Sequence, residues 1–116
     1  RELNRITLMF CAFDGDALIL RLYGAARTLY PRDAEWDTAL KDFPQMAGTR
    51  QIYEVTIDGV QTSCGTGVPV MHYAHERAET ELTPIYEDMG PDGVDDYWRK
   101  KNLKTIDGFN TGLLED

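Results

Sequence analysis

Two stretches near the start of the chain decide its fold: Ile6-Thr7-Leu8-Met9-Phe10-Cys11-Ala12-Phe13 and, after the turn signal Asp14-Gly15-Asp16, the segment 17–30. The first is a nearly continuous run of strand formers, which indicates a strand that is buried on both faces. The second places leucines at alternate positions, as a strand does when one face is buried. An Asp-Gly turn between two such patterns predicts an antiparallel β-hairpin.

The elements that follow the hairpin are shorter. Gly24 interrupts the second strand and predicts a bulge or a bend there. Pro31 ends that strand, and Asp33 is expected to be the N-cap of a helix. The apolar stripe of this helix is expected to pack in the core, and it comprises Trp36, Leu40 and Phe43.

The second half of the chain begins with a strand and continues with helices. Residues 50–58 alternate as a half-buried strand does, and Asp58-Gly59 is expected to turn or kink it into the segment 60–63. The acidic segment 77–89 predicts a helix whose interior suits Pro84 poorly. Residues 90–93 predict a break before a second short helix, whose helical spacing includes Val94, Tyr97 and Trp98.

Composition limits the class of protein. The 116 residues suit one small domain, and the 42% of hydrophobic residues argues against disorder. A net charge of −8 disfavours nucleic acid as a partner. No apolar run reaches the roughly 18 residues of a membrane span, and no signal peptide opens the chain, so we expect a cytoplasmic protein. Cys11 and Cys64 are interpreted as free thiols, with a single disulfide as the alternative.

Two polar blocks carry the functional signal. Val60-Gln61-Thr62-Ser63-Cys64-Gly65-Thr66-Gly67-Val68-Pro69 places hydrogen-bonding side chains and glycines directly after a strand. Backbone N–H groups in loops of this kind can turn outward and meet a ligand. The second block, 102–108, is expected to be its partner. The alternative is a turn that satisfies its own backbone.

Several segments together resemble a bacterial branch of the pyridoxamine 5′-phosphate oxidase-like, FMN-binding split-barrel proteins. The segments that carry the resemblance are Asn4-Arg5-Ile6-Thr7-Leu8-Met9-Phe10-Cys11-Ala12-Phe13, Leu20-Arg21-Leu22-Tyr23-Gly24, Val60-Gln61-Thr62-Ser63-Cys64-Gly65, Gly67-Val68-Pro69, Trp98-Arg99-Lys100-Lys101-Asn102 and Thr105-Ile106-Asp107-Gly108. They span most of the chain, and the Gln-Thr-Ser-Cys-Gly motif together with the Asn…Ile-Asp-Gly tail is the distinctive part.

The resemblance implies a mainly β fold with peripheral helices: an FMN-binding split barrel, of the β-barrel or α+β class. Residues 1–116 would form a single domain, with barrel strands and one helix in 1–70 and helical decoration and a tail in 71–116. Family members carry an upstream segment that holds the first barrel strands and grips the FMN phosphate. The resemblance therefore implies that this chain is the downstream portion of a barrel that is incomplete at its N-terminus. It also implies a homodimer with the flavin site at the interface.

The resemblance further implies FMN as cofactor and a flavin-dependent oxidoreductase that transfers hydride at the flavin to or from an unknown small molecule. The implied cofactor contacts are Gln61, Thr62, Ser63, Cys64, Gly65, Trp98, Asn102 and Asp107. No catalytic side chain is implied. Ile19 and Leu20 stand where the vitamin B6 oxidases have a glutamine that touches the flavin, so vitamin B6 oxidation is not expected.

Other interpretations stay open from the residues alone. Cys64 could be a nucleophile with His72 or His75 as its base, although nothing in the sequence fixes that pairing. His72, His75 and Glu76 could ligate a metal, but a complete site is not evident and none is expected. Trp98 could pack a helix rather than contact a ligand. At the level of the whole protein, the alternatives are a non-catalytic flavin- or haem-binding module and an interaction fragment without a cofactor.

Overall fold

The computed structural model describes residues 3–114, which form a three-stranded sheet and helical segments. The elements in chain order are β1 (Arg5–Cys11), β2 (Leu18–Leu29), α1 (Trp36–Leu40), β3 (Ile52–Cys64), a single π-helical turn (Ala78–Leu82) and α2 (Thr83–Lys101).

The chain divides into two compact units, and both are built from separated segments. The sheet unit comprises the chain up to Thr28 together with Tyr53–His75. The helical unit comprises Leu29–Ile52 and the chain from Glu76 onward. The interpretation of residues 1–116 as one split-barrel domain stays a prediction.

The predicted hairpin is confirmed. β1 and β2 pair antiparallel, with Arg5 opposite Ala25 and Cys11 opposite Ile19. At the turn, the Asp14 carboxylate accepts the N–H of Gly15 at 2.8 Å, and Gly15 has a φ of +74°. Because L side chains rarely adopt positive φ, glycine at this position favours the turn that the sequence predicted.

The third strand completes a sheet with the order β1-β2-β3. Side-chain hydrogen bonds join Arg21 to Ser63 and Arg27 to Glu54, so residues later in β2 have partners earlier in β3. That order is the order of an antiparallel pair. The strand continues without interruption to Cys64, so of the two alternatives expected at Asp58-Gly59, a turn or a kink, the turn does not form.

A change of phase within β3 takes the place of that turn. Arg5 and Arg21 lie on one face of the sheet, because both occupy odd-numbered positions in the β1–β2 register. Arg5 bonds to Asp58, whereas Arg21 bonds to Ser63. An even-numbered and an odd-numbered residue of β3 therefore face the same side, and the two-residue alternation slips once between them. A β-bulge has this effect.

The expectation that β1 is buried on both faces is wrong. Every residue of β1 is half-buried or exposed, and Met9 and Phe10 are 59% and 53% exposed. β1 lies at an edge of the sheet and pairs with β2 alone within residues 3–114. A continuous apolar run shows that a strand can be covered on both sides, but it does not show that a covering layer is present.

Gly24 has a different role from the predicted bulge or bend. The pairing runs through it without an extra residue, with Gly24 directly opposite Ile6. A Cβ at this position would lie against the carbonyl oxygen of Thr56 and 2.8 Å from Cγ1 of Val55. Glycine is therefore required because β3 approaches closely, which is one of the positional meanings of glycine in a strand.

The helical unit contains two small apolar clusters. One consists of Tyr30, Val94, Trp98 and Leu113, with Tyr86 and Leu114 packed against it. The other consists of Leu29, Trp36 and Ile52, with Ala39 and Leu40 packed against it.

The helix α1 differs from its prediction in two details. Phe43 was expected in the core but is 53% exposed, because α1 has only five residues and ends before it. Asp33 does not cap the helix, since Glu35 occupies the N-cap position. The Asp33 carboxylate instead accepts the backbone N–H of Tyr30 at 2.7 Å.

The helix α2 begins and breaks at residues that the sequence marks. Pro84 lies in its first turn, where the missing N–H costs nothing, so the α-helix begins beside the proline and not at residue 77 as predicted. The predicted break is confirmed at Gly90, whose φ of 65° and ψ of 174° are not helical. Beyond the break, Val94 and Trp98 are buried, while Tyr97 is 40% exposed.

An arm of the helical unit after α2 is held by two side chains that follow β2. The guanidinium of Arg32 donates to the carbonyl oxygens of Leu113, at 2.8 Å, and Gly112. It also lies 4.5 Å from the ring centroid of Tyr30. The hydroxyl of Tyr30 donates to the carbonyl oxygen of Thr111 at 2.8 Å. These contacts hold the buried Leu113 in its cluster.

Candidate functional site

Two side chains of the predicted cofactor motif form hydrogen bonds across the sheet. The hydroxyl of Tyr23 donates to Oε1 of Gln61 at 2.9 Å, and Nη1 of Arg21 donates to Oγ of Ser63 at 2.9 Å. The two bonded pairs are two residues apart on each strand, and residues two apart in a strand point to the same face. The four side chains therefore lie on one face of the sheet. The end of β3 thus carries a row of polar groups on rigid backbone.

Arg21 is the residue that the sequence argument missed. Its side chain is half-buried, and within the described part of the chain no carboxylate pairs with it. A guanidinium carries five N–H donors, so the bond to Ser63 leaves most of them available. The sequence did contain a signal for this residue, because Arg21 is a cation in the middle of an apolar strand. The sequence analysis assigned it only to a face of that strand.

The segment after β3 is a tight turn that surrounds Cys64. The N–H of Val68 donates to the carbonyl oxygen of Gly65 at 2.8 Å, and the N–H of Gly65 donates to the carbonyl oxygen of Ala17 at 3.0 Å. Gly65 is buried, and a Cβ there would lie 2.6 Å from the backbone nitrogen of Leu18. Gly65 therefore packs the turn closely against the backbone of Ala17 and Leu18, where a side chain would not fit.

Cys64 has an altered thiol. Its Sγ lies 3.1 Å from Oγ1 of Thr66 and accepts the N–H of Thr66 at 3.4 Å. These bonds, the side-chain contact first, lower the pKa of the Cys64 thiol below its ordinary value. The side chain is exposed. No described contact joins it to His72 or His75, so the nucleophile–base pairing stays a hypothesis without structural support.

Other groups of this segment are open to a ligand. Thr62 is exposed, and a Cβ on Gly67 would meet nothing within 4 Å. The N–H of Gly67 has no partner among residues 3–114. Exposed backbone N–H groups beside hydroxyl side chains can bind acceptor atoms of a ligand.

The remaining predicted contacts lie in the helical unit. Trp98 is buried among Tyr30, Val94 and Leu113, which agrees with the packing alternative. Asn102 follows α2, and its buried Oδ1 accepts no hydrogen bond from any described residue. Asp107 is exposed. The structure thus groups Gln61–Gly65 on the sheet unit, and places Trp98 and Asn102 at the end of α2.

Two further searches concern other classes of site. Within residues 3–114, no group of three or more His, Cys, Asp or Glu side chains is arranged to hold a metal ion. His72 and His75 are both exposed. None of the described helices combines the length and the apolar character that crossing a membrane requires.

Comparison with known proteins links the chain to one named family. It is 31% identical over 88 residues to the pyridoxamine 5′-phosphate oxidase family protein ustO of Aspergillus flavus. The match covers 74% of this chain and 35% of that protein, so the chain spans about a third of the length of the curated relative. No family model and no solved structure matches the chain.

Proposed function

We propose that this chain belongs to the pyridoxamine 5′-phosphate oxidase-like family and forms part of the FMN site of a flavin-dependent oxidoreductase. One observation carries the proposal: the 88-residue similarity to a protein that bears this family name. The segments that resemble the family in the sequence lie on β1, β2, the end of β3 and the end of α2. The three-stranded antiparallel sheet is consistent with part of a split barrel.

The polar groups of the sheet unit fit the chemistry of a flavin. The edge of the isoalloxazine ring carries carbonyl oxygens and ring nitrogens that accept hydrogen bonds, and the ring becomes more negative on reduction. Arg21 offers an unpaired cation, Ser63 a hydroxyl, and Gly67 an unpaired N–H. A positive charge beside the ring is one of the ways in which a protein tunes this cofactor. We therefore add Arg21 to the proposed cofactor contacts.

Asn102 offers the complementary group. Its buried Oδ1 lacks a donor among the described residues, and flavin presents donors at its ring N–H and its ribityl hydroxyls. An unsatisfied buried acceptor costs free energy, so a ligand that donates to it gains affinity. Trp98 and Asp107 stay proposed contacts on the strength of the resemblance. The FMN phosphate is negatively charged, so it is not expected to bind beside Asp95 and Asp96, the two carboxylates nearest to Trp98 along α2.

The cofactor, when bound, supplies hydride transfer at its ring to or from a small organic substrate. The side chains named above bind and orient it, and no side chain is proposed as nucleophile or acid–base group. Rigid placement of a cofactor by strand residues is favourable because strands hold geometry better than loops do.

We also propose that the protein is a homodimer. Five apolar side chains share the face of the sheet opposite Arg21 and are 46–65% exposed: Phe10, Leu18, Tyr53, Ile57 and Val60. Exposed apolar side chains that share one face of a sheet are typical of contact sites between proteins. Light scattering after gel filtration, across a range of concentrations, tests the association.

The decisive experiment is the visible absorption spectrum of the protein expressed from its complete gene, followed by chromatography of what denaturation releases. A yellow protein that releases FMN supports the proposal. A colourless protein that does not quench the fluorescence of added FMN refutes it. Bleaching of bound flavin by a candidate donor without oxygen then separates an oxidoreductase from a carrier.

A matched pair of variants tests the site. Arg21→Met removes the cation but keeps an unbranched apolar stem, and should weaken FMN binding about tenfold or more, since a hydrogen bond to a charged group is worth about 1.5–3 kcal/mol. Arg77→Met changes an exposed arginine outside the segments that resemble the family, and should leave the affinity unchanged. Equal affinities of the two variants would exclude Arg21 from the site.

A further inference from the structure

The helical unit contains a cleft of about 340 Å³ between the loop that precedes β3 and the kinked part of α2. The residues that line it are Ala47, Gly48, Thr49, Tyr86, Glu87, Gly90, Pro91, Val94, Asp95 and Trp98. Trp98 is also a predicted flavin contact, whereas none of the lining residues belongs to the predicted flavin motif on β3. All of the lining residues belong to the helical unit.

The walls of the cleft are aromatic and held in place. The ring of Tyr86 packs against Gly48, where a Cβ would lie 2.6 Å from Cγ of the ring. Gly48 has a φ of +77°, so both its backbone conformation and the ring contact require glycine. Tyr86 also meets Tyr97 edge to face, with centroids 6.4 Å apart. Trp98 is fixed by burial in its cluster.

The break in α2 shapes the opening. Gly90 lines the cleft in a non-helical conformation, and a Cβ on it would meet nothing within 4 Å. Glu87 lies before the break and Asp95 after it, and both line the cleft. The kink therefore separates the two parts of α2 that carry the carboxylates of the cleft.

The charge of the cleft has one sign. Glu87 and Asp95 are its ionisable carboxyl groups, and its lining contains no lysine, arginine or histidine. Within residues 3–114, neither carboxylate forms an ion pair or a hydrogen bond. Two unpaired negative charges beside apolar walls repel phosphates and carboxylates and attract cations.

We propose that this cleft binds a small organic cation with a flat or apolar body, such as an aryl- or alkylammonium group. The aromatic faces of Tyr86 and Trp98 attract a cation through their ring quadrupoles and bury its apolar part. Glu87 and Asp95 pair with its charge. The cleft shares Trp98 with the proposed flavin contacts but none of those on β3, and its test needs no flavin.

The test uses the ¹⁵N-labelled unmodified chain and three probes of the same shape: benzylammonium, benzyl alcohol and benzoate. The backbone N–H signals of Gly48, Thr49 and Gly90 report on the cleft, while those of Gly15 and Gly108 lie outside its lining. Benzylammonium should shift the cleft signals saturably, with a dissociation constant in about the millimolar range. Benzyl alcohol should bind about fivefold or more weakly, and benzoate not at all.

Variants separate the two carboxylates from the general acidity of α2. Glu87→Gln and Asp95→Asn should each weaken benzylammonium binding about fivefold and leave benzyl alcohol unaffected. Asp88→Asn and Asp96→Asn remove neighbouring carboxylates that do not line the cleft, and should change little. Circular dichroism checks that each variant is folded.

Three results would overturn the proposal. One is the absence of a saturable shift at tens of millimolar benzylammonium. Another is binding of benzyl alcohol or benzoate as tightly as benzylammonium, which is decided on the unmodified chain whatever the variants do. The third is an equal loss of affinity in the control variants, which would assign the effect to net charge.

Discussion

Replacement of Gly24 by alanine tests the close approach of β3 to β2. The added methyl group would lie against the carbonyl oxygen of Thr56 and 2.8 Å from Cγ1 of Val55, well inside the 3.4 Å at which ordinary contact begins. Overpacking of this kind costs about 1–3 kcal/mol. The lost flexibility of the unfolded chain returns about 0.4–1 kcal/mol. We therefore expect Gly24→Ala to lower the free energy of unfolding by about 1–2 kcal/mol.

Gly67 supplies the matched control in the same unit. A Cβ there would meet nothing within 4 Å. Gly67→Ala should therefore leave stability unchanged or raise it by up to about 1 kcal/mol. Urea unfolding followed by far-ultraviolet circular dichroism gives both values, with equal slopes required for the comparison.

A second substitution, at Val55, separates the side-chain clash from the backbone clash. Val55→Ala in the Gly24→Ala background removes the side-chain clash but not the clash with the Thr56 carbonyl oxygen, so the rescue should be partial. If Gly24→Ala and Gly67→Ala differ by less than about 0.5 kcal/mol, the close approach is not what requires glycine at this position.

Three further outcomes are expected. Thr66→Val removes the side-chain hydrogen bond that lowers the pKa of Cys64, so iodoacetamide should alkylate this thiol more slowly near neutral pH, as peptide mapping would show. Tyr30→Phe removes the bond that holds the C-terminal arm, and should cost about 1 kcal/mol in urea unfolding and speed proteolysis of the arm. The hydrogen bond and the charge of Arg5 lower the pKa of Asp58, so the stability that the pair contributes is fully present above pH 3.8, the ordinary aspartate pKa, and is lost as pH falls through the lower folded pKa. The difference in urea midpoint between the protein and Asp58→Asn should accordingly vanish in acid, and a constant difference would contradict it.

The hairpin could be predicted because its causes are local. Alternating leucines, a strand-forming run and an Asp-Gly turn lie within one short segment, and their period and turn chemistry specify the pairing. The break at Gly90 followed for the same reason. In each case the residues that determine the structure are neighbours in the chain.

The errors arose where distant residues decide. Gly24 is visible in the sequence, but the carbonyl oxygen of Thr56 that requires it comes from another strand. Asp58-Gly59 is typical of a turn, yet pairing with β2 keeps it within a strand. Phe43 has helical spacing from Trp36, but its helix ends too early for that spacing to matter.

The candidate site could be predicted only in part, for the same reason. The polar motif on β3 was recognisable, because hydrogen-bonding residues and glycines after a strand form a local pattern. The partner of Ser63 was not, since Arg21 reaches it from β2. The cleft of the helical unit could not be predicted either, because the loop before β3 and α2 are far apart in sequence.

The separated segments of the two units have a consequence for synthesis on the ribosome. All residues of the sheet unit have been added once His75 is in place, whereas Tyr30 and Trp36 belong to a unit that still lacks α2. Leu113, a partner of Tyr30 in its cluster, follows about 80 residues later, which is roughly 4–16 s at typical rates of translation. Once Tyr53 has been added, the segment 29–52 is flanked on both sides by residues of the sheet unit, and Tyr30 lacks its cluster partners until Val94, Trp98 and Leu113 have followed. The nascent chain should therefore be most open to chaperones and proteases in this segment, even though it is made early.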